Sequence, residues 1–429
     1  MTRRIARRRT LQLAATGFWP LTNAQAQTKP EKLAIMSHAV HRSVVTGAKG
    51  GDSAGEWSQT NGVKLEWLTF GVPEVHDRLY REASLGRGSV DVGLIANRYV
   101  GPRIANLFEP LEPYQQRAPI EAFTDIAAGM RETMSFEGKL YGIPFRHATS
   151  GLHYNKAILA ERGLSTPPQT VEELIDFAGK LTFKRSDGTQ VHGLIFDGTS
   201  PAQIVDLARA WNGDFLSADY HILATEPPMI RAVTLLKEFF AKGILPRNWT
   251  RFSTEDTITF MTQGRAAMAI TPFGRYANFN DPQRSKFAGQ IDVVPVPIAA
   301  ALKDRFPVAP AKTEFWAFVI PRNTPNKDLA WDLIRHFSSK ENTVRAAMNG
   351  NGPCRESAYA DPRYRAALPY ADAEGRVLAL ARPPLPGWDE AAKAEDIFRE
   401  ELEAVLVTGK SPEAAMESVA RRVAPLLPK

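Results

Sequence analysis

An alternation of strand and helix patterns constrains the fold of this chain more than any other feature of its sequence. Residues 63–67 alternate between apolar and polar side chains, and residues 74–83 carry apolar side chains at helical spacing. Residues 90–95 are then apolar except for Asp91, a run typical of a buried parallel strand. A strand, a helix and a strand within about 35 residues predict a right-handed βαβ unit.

The same alternation continues to the end of the chain. Helices are predicted after residues 170, 324 and 411, because a capping residue or a proline there precedes a stripe of apolar side chains. Further strands are predicted at residues 32–36, 266–270, 293–296 and 315–320. The sequence contains no internal repeat and no low-complexity linker. It therefore predicts an α/β fold class without an obvious cut between domains.

The first 26 residues have the three parts of an export signal. A basic run ends in the arginines at 7–9, a short apolar stretch covers residues 11–21, and Ala24-Gln25-Ala26 is a small-x-small cleavage site. The arginine pair resembles a twin-arginine signal, and an ordinary Sec signal is the alternative. Either route predicts a soluble protein of the periplasm of a two-membrane bacterium, with the signal cleaved near Ala26.

Composition excludes several classes of protein. The chain is 44% apolar and 23% charged, as globular proteins are, and no apolar run is long enough to span a bilayer. Five of its 53 basic residues lie in the first 26 positions, and the other 48 nearly balance the 47 acidic residues. We therefore expect neither nucleic acid as a partner nor stable membrane insertion. Cys354 is the single cysteine, which excludes an intramolecular disulfide and a cysteine-rich zinc module.

Two short patterns raise the question of catalysis or metal binding. Gly51-Asp52-Ser53-Ala54-Gly55 matches the nucleophile elbow of hydrolases, so an exported serine hydrolase using Ser53 is the alternative function. An elbow needs a buried strand directly before the serine, and residues 46–51 are small and glycine-rich instead. His38 and His41 lie three residues apart but lack a third metal ligand. We expect no enzyme activity, no catalytic residue, no metal and no cofactor.

Several motifs follow one another in a fixed order along most of the chain. Residues 138–144 read GKLYGIP, residues 152–156 read LHYNK, and residues 260–268 read FMTQGRAAM. With the segments at 326–337, 351–355 and 385–388, they resemble the extracellular solute-binding proteins of ABC importers, the maltose-binding-protein-like group of the carbohydrate type (family 1). The resemblance extends over nearly the whole chain after residue 26.

This resemblance implies a type II periplasmic-binding-protein fold, in which two lobes close on a ligand like a Venus flytrap. Each lobe would be a mostly parallel sheet flanked by helices, with the cleft between the lobes. One lobe would comprise residues 27–147 plus 315–352, and the other residues 148–314 plus 353–429. The expected partners are a small carbohydrate-like solute and the transmembrane subunits of an ABC permease. We expect a monomer that takes part in sugar transport.

The resemblance also implies which residues line the cleft. The expected ligand-binding residues are Ser37, His38, Arg42, Asn97, Arg98, Arg146, His147, Asp197, Trp211, Trp249, Phe273, Gly274, Arg275, Arg355 and Trp388. This set is rich in arginine and histidine, whereas carbohydrate sites of the family usually carry several acids. Two ligand classes therefore stay open: a neutral sugar, and an anionic derivative such as a sugar acid or a polyol phosphate.

Overall fold

A computed structural model describes residues 29–428, so the predicted export signal at residues 1–26 lies outside the described residues. The strands, in chain order, are β1 (Lys32–Ser37), β2 (Lys64–Thr69), β3 (Val92–Ala96), β4 (Ser135–Phe136), β5 (Lys139–Leu140), β6 (Ile143–Asn155), β7 (Phe183–Lys184), β8 (Gln190–Val191), β9 (Ile195–Phe196), β10 (Met268–Pro272), β11 (Ile291–Val294), β12 (Thr313–Val319) and β13 (Gly352–Pro353). The predicted strands are therefore present, with ends shifted by at most two residues.

The α-helices, in chain order, are α1 (Ala39–Val45), α2 (Ser53–Asn61), α3 (Val72–Ala83), α4 (Ile104–Leu107), α5 (Glu112–Arg117), α6 (Ala128–Thr133), α7 (Lys156–Glu161), α8 (Val171–Lys180), α9 (Ala202–Arg209), α10 (Pro227–Ala241), α11 (Thr254–Thr262), α12 (Tyr276–Phe279), α13 (Lys327–Phe337), α14 (Lys340–Met348), α15 (Pro362–Ala367), α16 (Ala371–Leu378), α17 (Ala391–Val407) and α18 (Pro412–Val423). Short 3-10 turns at Asn97–Tyr99 and Phe273–Arg275 directly follow β3 and β10. Within residues 29–428, none of the helices combines the length and the apolar character that crossing a bilayer requires.

The main sheet has the strand order β2-β1-β3-β12-β6-β10-β9, and β11 and β13 also pair with β6. Strand β1 is parallel to β2 and β3, and β9 is parallel to β10. Strands β12 and β6 are antiparallel to their neighbours, so the sheet is mixed. The prediction of an α/β fold is confirmed.

Strand β6 connects the two halves of the sheet. Its residues 143–149 pair with β12, and its residues 150–155 pair with β10 and β11. This long strand explains the lack of a linker in the sequence, because the chain passes from one half to the other inside regular structure.

Two large hydrophobic cores lie on either side of this crossover. The first is built around β1, β3 and β12, and the second around β9, β10 and the helices α9, α10, α17 and α18. Buried side chains of the segment 354–378, including those of Cys354, Tyr359 and Tyr364, belong to the first core. The division into lobes at residues 147, 314 and 352 stays a prediction, because a single structure does not show which residues move together.

Local sequence signals account for the ends of individual elements. The capping sequence at the start of α8 behaves as predicted: the Thr170 hydroxyl accepts a hydrogen bond from the Glu173 amide at 3.1 Å. Val171, Leu174 and Ala178 then bury the apolar stripe of this helix. Helix α2 ends at Gly62, whose positive φ of 64° is a conformation that glycine adopts without strain.

Candidate functional site

The ends of several strands meet around the middle of β6. Ala96, the last residue of β3, pairs with Trp316 on β12, and Trp316 pairs in turn with Arg146 on β6. From the other half, Pro272 at the end of β10 pairs with Ser150, four residues further along β6. Because loops at the carboxyl ends of strands form the ligand clefts of open α/β sheets, this convergence places the candidate site.

Trp316 lies at the centre of this site. Its ring is partly exposed and packs against the imidazoles of His41 and His76, with centroids 4.7 and 5.0 Å away. His38, directly after β1, lies 6.4 Å from the same indole. A partly exposed indole can stack on the apolar face of a sugar ring.

Three basic side chains, which we call the cationic pole, gather beside Trp316: His38, Arg146 and Arg275. Burial and then the Arg275 guanidinium lower the pKa of Arg146 to about 10. Burial is also the main cause that lowers the pKa of Arg275, and the carboxylates of Glu255 and Asp197 only partly oppose it. Burial, Arg146 and Arg275 together lower the pKa of His38.

The guanidinium of Arg146 differs from the structural arginines of the same protein. Its buried Nη1 has no hydrogen-bond partner among residues 29–428. By contrast, fully buried Arg355 donates five hydrogen bonds, to Ser338, Ala122, Glu121 and Asp125. A buried donor without a partner is costly, so an acceptor from a ligand would stabilise Arg146 strongly.

A second group of charges, the mixed-charge pole, comprises Arg98, Lys312, Glu314 and Glu395. The Glu314 carboxylate lies 3.7 Å from Lys312 Nζ and 4.0 Å from Arg98 Nη1. The Ser200 hydroxyl donates a hydrogen bond of 3.0 Å to Glu395. The nearby cations hold the pKa of Glu314 low, whereas burial raises the pKa of Glu395. The two positive and two negative charges balance.

The structure brings some of the predicted ligand-binding residues together at this site. His38, Arg146 and Arg275 form the cationic pole, and Arg98 belongs to the mixed-charge pole. Asp197 lies close enough to oppose part of the lowering of the Arg275 pKa, and its carboxylate accepts hydrogen bonds from the Thr199 and Thr254 hydroxyls.

Other predicted residues support the walls of the site from behind. The Asn97 side chain is buried and accepts a hydrogen bond of 2.9 Å from the Phe315 amide, which joins β3 to β12. The Ser37 hydroxyl is buried and donates to the His38 carbonyl. Phe273 is fully buried, and its ring would lie 2.9 Å from a side chain at Gly151, so only glycine fits there.

In a third group of predicted residues, the polar side-chain atoms form hydrogen bonds with other parts of the protein. His147 is bonded to Tyr359 and Thr149, and the indole N–H groups of Trp249 and Trp388 donate to carbonyls of Phe196 and Leu426. The five hydrogen bonds of Arg355 occupy its guanidinium group, so it has no donor left for a ligand.

The remaining predicted residues lie at or near the surface. Arg42 and Gly274 are exposed. Trp211 is partly buried in the second half, where the Arg231 guanidinium lies 4.7 Å from its ring. Because Arg42 is exposed, it is a useful reference for comparison with the partly buried arginines of the site.

Four residues of the site were not predicted from the sequence: Lys312, Glu314, Trp316 and Glu395. Glu314 and Trp316 lie two residues apart on β12 and so share one face of the sheet; the predicted strand at 315–320 contained Trp316 but began one residue after Glu314. Glu395 lies inside the long helix α17 and carries no local signal, because only the packing of that helix brings it to the cleft.

Ser53 does not have the surroundings of a nucleophile. It is the first residue of α2, no strand precedes it among residues 46–52, and its side chain is buried. Its hydroxyl donates to the Val45 carbonyl at 3.2 Å, and His336 contacts the Ser53 backbone rather than the hydroxyl. In the described part of the chain, no three His, Cys, Asp or Glu side chains are grouped as metal ligands would be.

A mixed sheet in two halves, with charged and aromatic side chains at the strand ends between them, defines a two-lobed binding-protein fold. The sequence profile of the bacterial extracellular solute-binding protein family matches residues 55–369. The chain belongs to this family, which confirms the resemblance seen in the sequence. The family is one of extracellular solute-binding proteins.

Known proteins match nearly the full length of the chain. A putative binding protein of Brucella abortus is 24% identical over 385 residues, which cover 87% of this chain and 88% of the relative. The structure of maltose-bound MalE3 of T. maritima superimposes with a TM-score of 0.78 at 20% identity, covering 92% of this chain and 100% of that one. A solute-binding protein of Agrobacterium radiobacter in complex with ribitol gives a TM-score of 0.78 at 21% identity, covering 93% and 100%. These likenesses confirm the predicted periplasmic-binding-protein fold.

Proposed function

We propose that this protein is the substrate-binding component of an ABC importer and that it captures an anionic sugar derivative, a sugar acid or a polyol phosphate. Family membership and the fold support the general role. The maltose and ribitol complexes of proteins with the same fold support a sugar or polyol as the ligand class. The partly exposed indole of Trp316 and the surrounding polar groups are suited to such a molecule.

One observation carries the proposal of an anion: Arg275 lies near enough to partly buried Arg146 for its charge to lower the pKa of Arg146. Arg146 is on the crossover strand, and Arg275 follows β10 in the second half. Within residues 29–428 neither guanidinium has a carboxylate oxygen within 4.0 Å. Two such cations repel each other, and an acidic group that accepts hydrogen bonds from both would remove the repulsion.

Binding of this kind would favour the closed state of the two lobes. The cationic pole contains groups from both halves, so a ligand gains its full set of contacts only when the halves are close together. In this proposal the closed, loaded form docks on the transmembrane subunits of the permease and releases the solute there. Export by the signal at residues 1–26 would bring the mature protein to the periplasm.

The test measures binding of D-gluconate and of the neutral polyol D-glucitol by isothermal titration calorimetry. We expect gluconate to bind more tightly, and its affinity to fall as salt rises. Arg275→Gln removes at least one charged hydrogen bond of about 1.5–3 kcal/mol, so gluconate affinity should fall at least about 10- to 150-fold. Arg42→Gln, the matched control on an exposed arginine, should leave the affinity unchanged. Tight binding of glucitol that neither salt nor Arg275→Gln affects would refute the anionic ligand.

A further inference from the structure

The mixed-charge pole lies on the same face of the sheet as the cationic pole. Trp316 pairs directly with Arg146, and Glu314 is two residues from Trp316 along β12. Side chains two residues apart in a strand point to the same face, about 6.6 Å apart. A ligand held by Arg146 at one end would therefore lie over Trp316, with its other end directed towards Glu314.

Two groups of the mixed-charge pole, Arg98 and Glu314, are open to such a ligand, whereas Lys312 is buried behind Glu314. The side chains of Arg98 and Glu314 keep about a quarter of their surface exposed, and their closest charged atoms are 4.0 Å apart. This distance is too long for a hydrogen bond, so both groups can still donate to or accept from a ligand. Carboxylates accept hydrogen bonds from hydroxyl groups, and guanidinium and ammonium groups donate to hydroxyl oxygens.

The geometry points to a site that selects molecules with one acidic end and a hydroxyl-rich, uncharged other end. This inference rests on the proposed anionic ligand and adds the chemical nature of the end opposite its acidic group. Glu314 and Glu395 would accept the hydroxyl protons, while Arg98 would donate to the hydroxyl oxygens. The pole as a whole has no net charge. A second carboxylate placed there would lose its hydration without gaining a net attraction.

The mixed-charge pole also joins the two halves of the protein. Arg98 follows β3, whose neighbours lie in the first core, and Glu395 is on α17, which packs in the second core. A hydroxyl group bound between them makes contacts with both halves. The hydroxyl-bearing end therefore contributes to closure, as the acidic end does at the cationic pole.

The experiment compares three six-carbon probes of equal length: D-glucitol without a carboxylate, D-gluconate with one and D-glucarate with two. We expect gluconate to bind at least ten times more tightly than glucarate. Equal binding of glucarate and gluconate would overturn this inference and leave the proposed anionic ligand intact. Binding of glucitol as tight as that of gluconate would instead overturn the proposed anionic ligand.

A variant at the mixed-charge pole tests the cause of the preference. Glu395→Gln gives the pole a net positive charge, so the ratio of gluconate to glucarate affinity should fall at least threefold. Glu403→Gln, an exposed glutamate on the same helix, should leave the ratio unchanged. Thermal unfolding without ligand verifies that both variants fold. A ratio that is the same in Glu395→Gln and in the parent protein would overturn the assignment of this pole.

Discussion

Replacing Arg146 with methionine should make the ligand-free protein more stable and should weaken the binding of the ligand. Burial and Arg275 lower the pKa of Arg146 to about 10, well below its usual value. When the pKa of a base is lower in the folded state than in the unfolded state, keeping the base charged makes folding less favourable at every pH below the folded-state pKa. At about 1.4 kcal/mol for each pKa unit, this cost amounts to about 3 kcal/mol at pH 7.

Methionine keeps an unbranched side chain of similar reach and removes both the charge and the donors without partners. We therefore expect Arg146→Met to raise the free energy of unfolding by about 1–3 kcal/mol, measured by urea unfolding at pH 7 without ligand. The same variant should lose the added stability that gluconate gives the parent protein, which is about 2.7 kcal/mol at 100 times the Kd.

Arg355 provides the matched control, because it is close to Arg146 in space but saturated with hydrogen bonds. Its neighbour Pro353 pairs with Arg146 across β13 and β6. Arg355→Met removes one donor from the Asp125 carboxylate and from each of three carbonyl groups and leaves that carboxylate without its buried cation, so it should lower the free energy of unfolding by about 3–5 kcal/mol. If Arg146→Met also destabilises the ligand-free protein, Arg146 is a structural residue and the reasoning about the cationic pole is wrong.

Three further predictions address other parts of the molecule. Burial raises the pKa of Glu374 to about 7. The protonated carboxyl therefore stabilises the folded state below pH 4.5, and this stabilisation is lost as the pH rises through 7. Thermal unfolding from pH 5 to 8 should show a decrease in stability, and Glu374→Gln should make that decrease smaller. Ser53→Ala should lower stability by about 1 kcal/mol, through the lost bond to Val45, without changing ligand affinity; loss of a measurable hydrolytic turnover in this variant would contradict a binding role. Replacing Arg7 and Arg8 with lysine should block export by the twin-arginine route, whereas export that continues would indicate the Sec route and full-length protein in the cytoplasm would refute both.

The sequence by itself determined the fold class of this protein. The apolar run at 90–95 and the helical spacing at 74–83 reappear as β3 and α3, because burial on one side of an element imposes a period on its sequence. The ordered motifs in turn identified the family, which the profile match over residues 55–369 confirms. Element ends shifted by a few residues, since hydrogen bonds with neighbouring strands decide where pairing stops.

Only the tertiary structure decided which of the charged residues form the site. Arg146 and Arg355 look alike in the sequence, as both belong to segments near the crossover. Arg355 is saturated because the carbonyl groups of Glu121, Ala122 and Ser338, which are distant along the chain, converge on its guanidinium. Side-chain hydrogen bonds of this kind depend on distances that the fold creates, and local patterns in the sequence do not encode them.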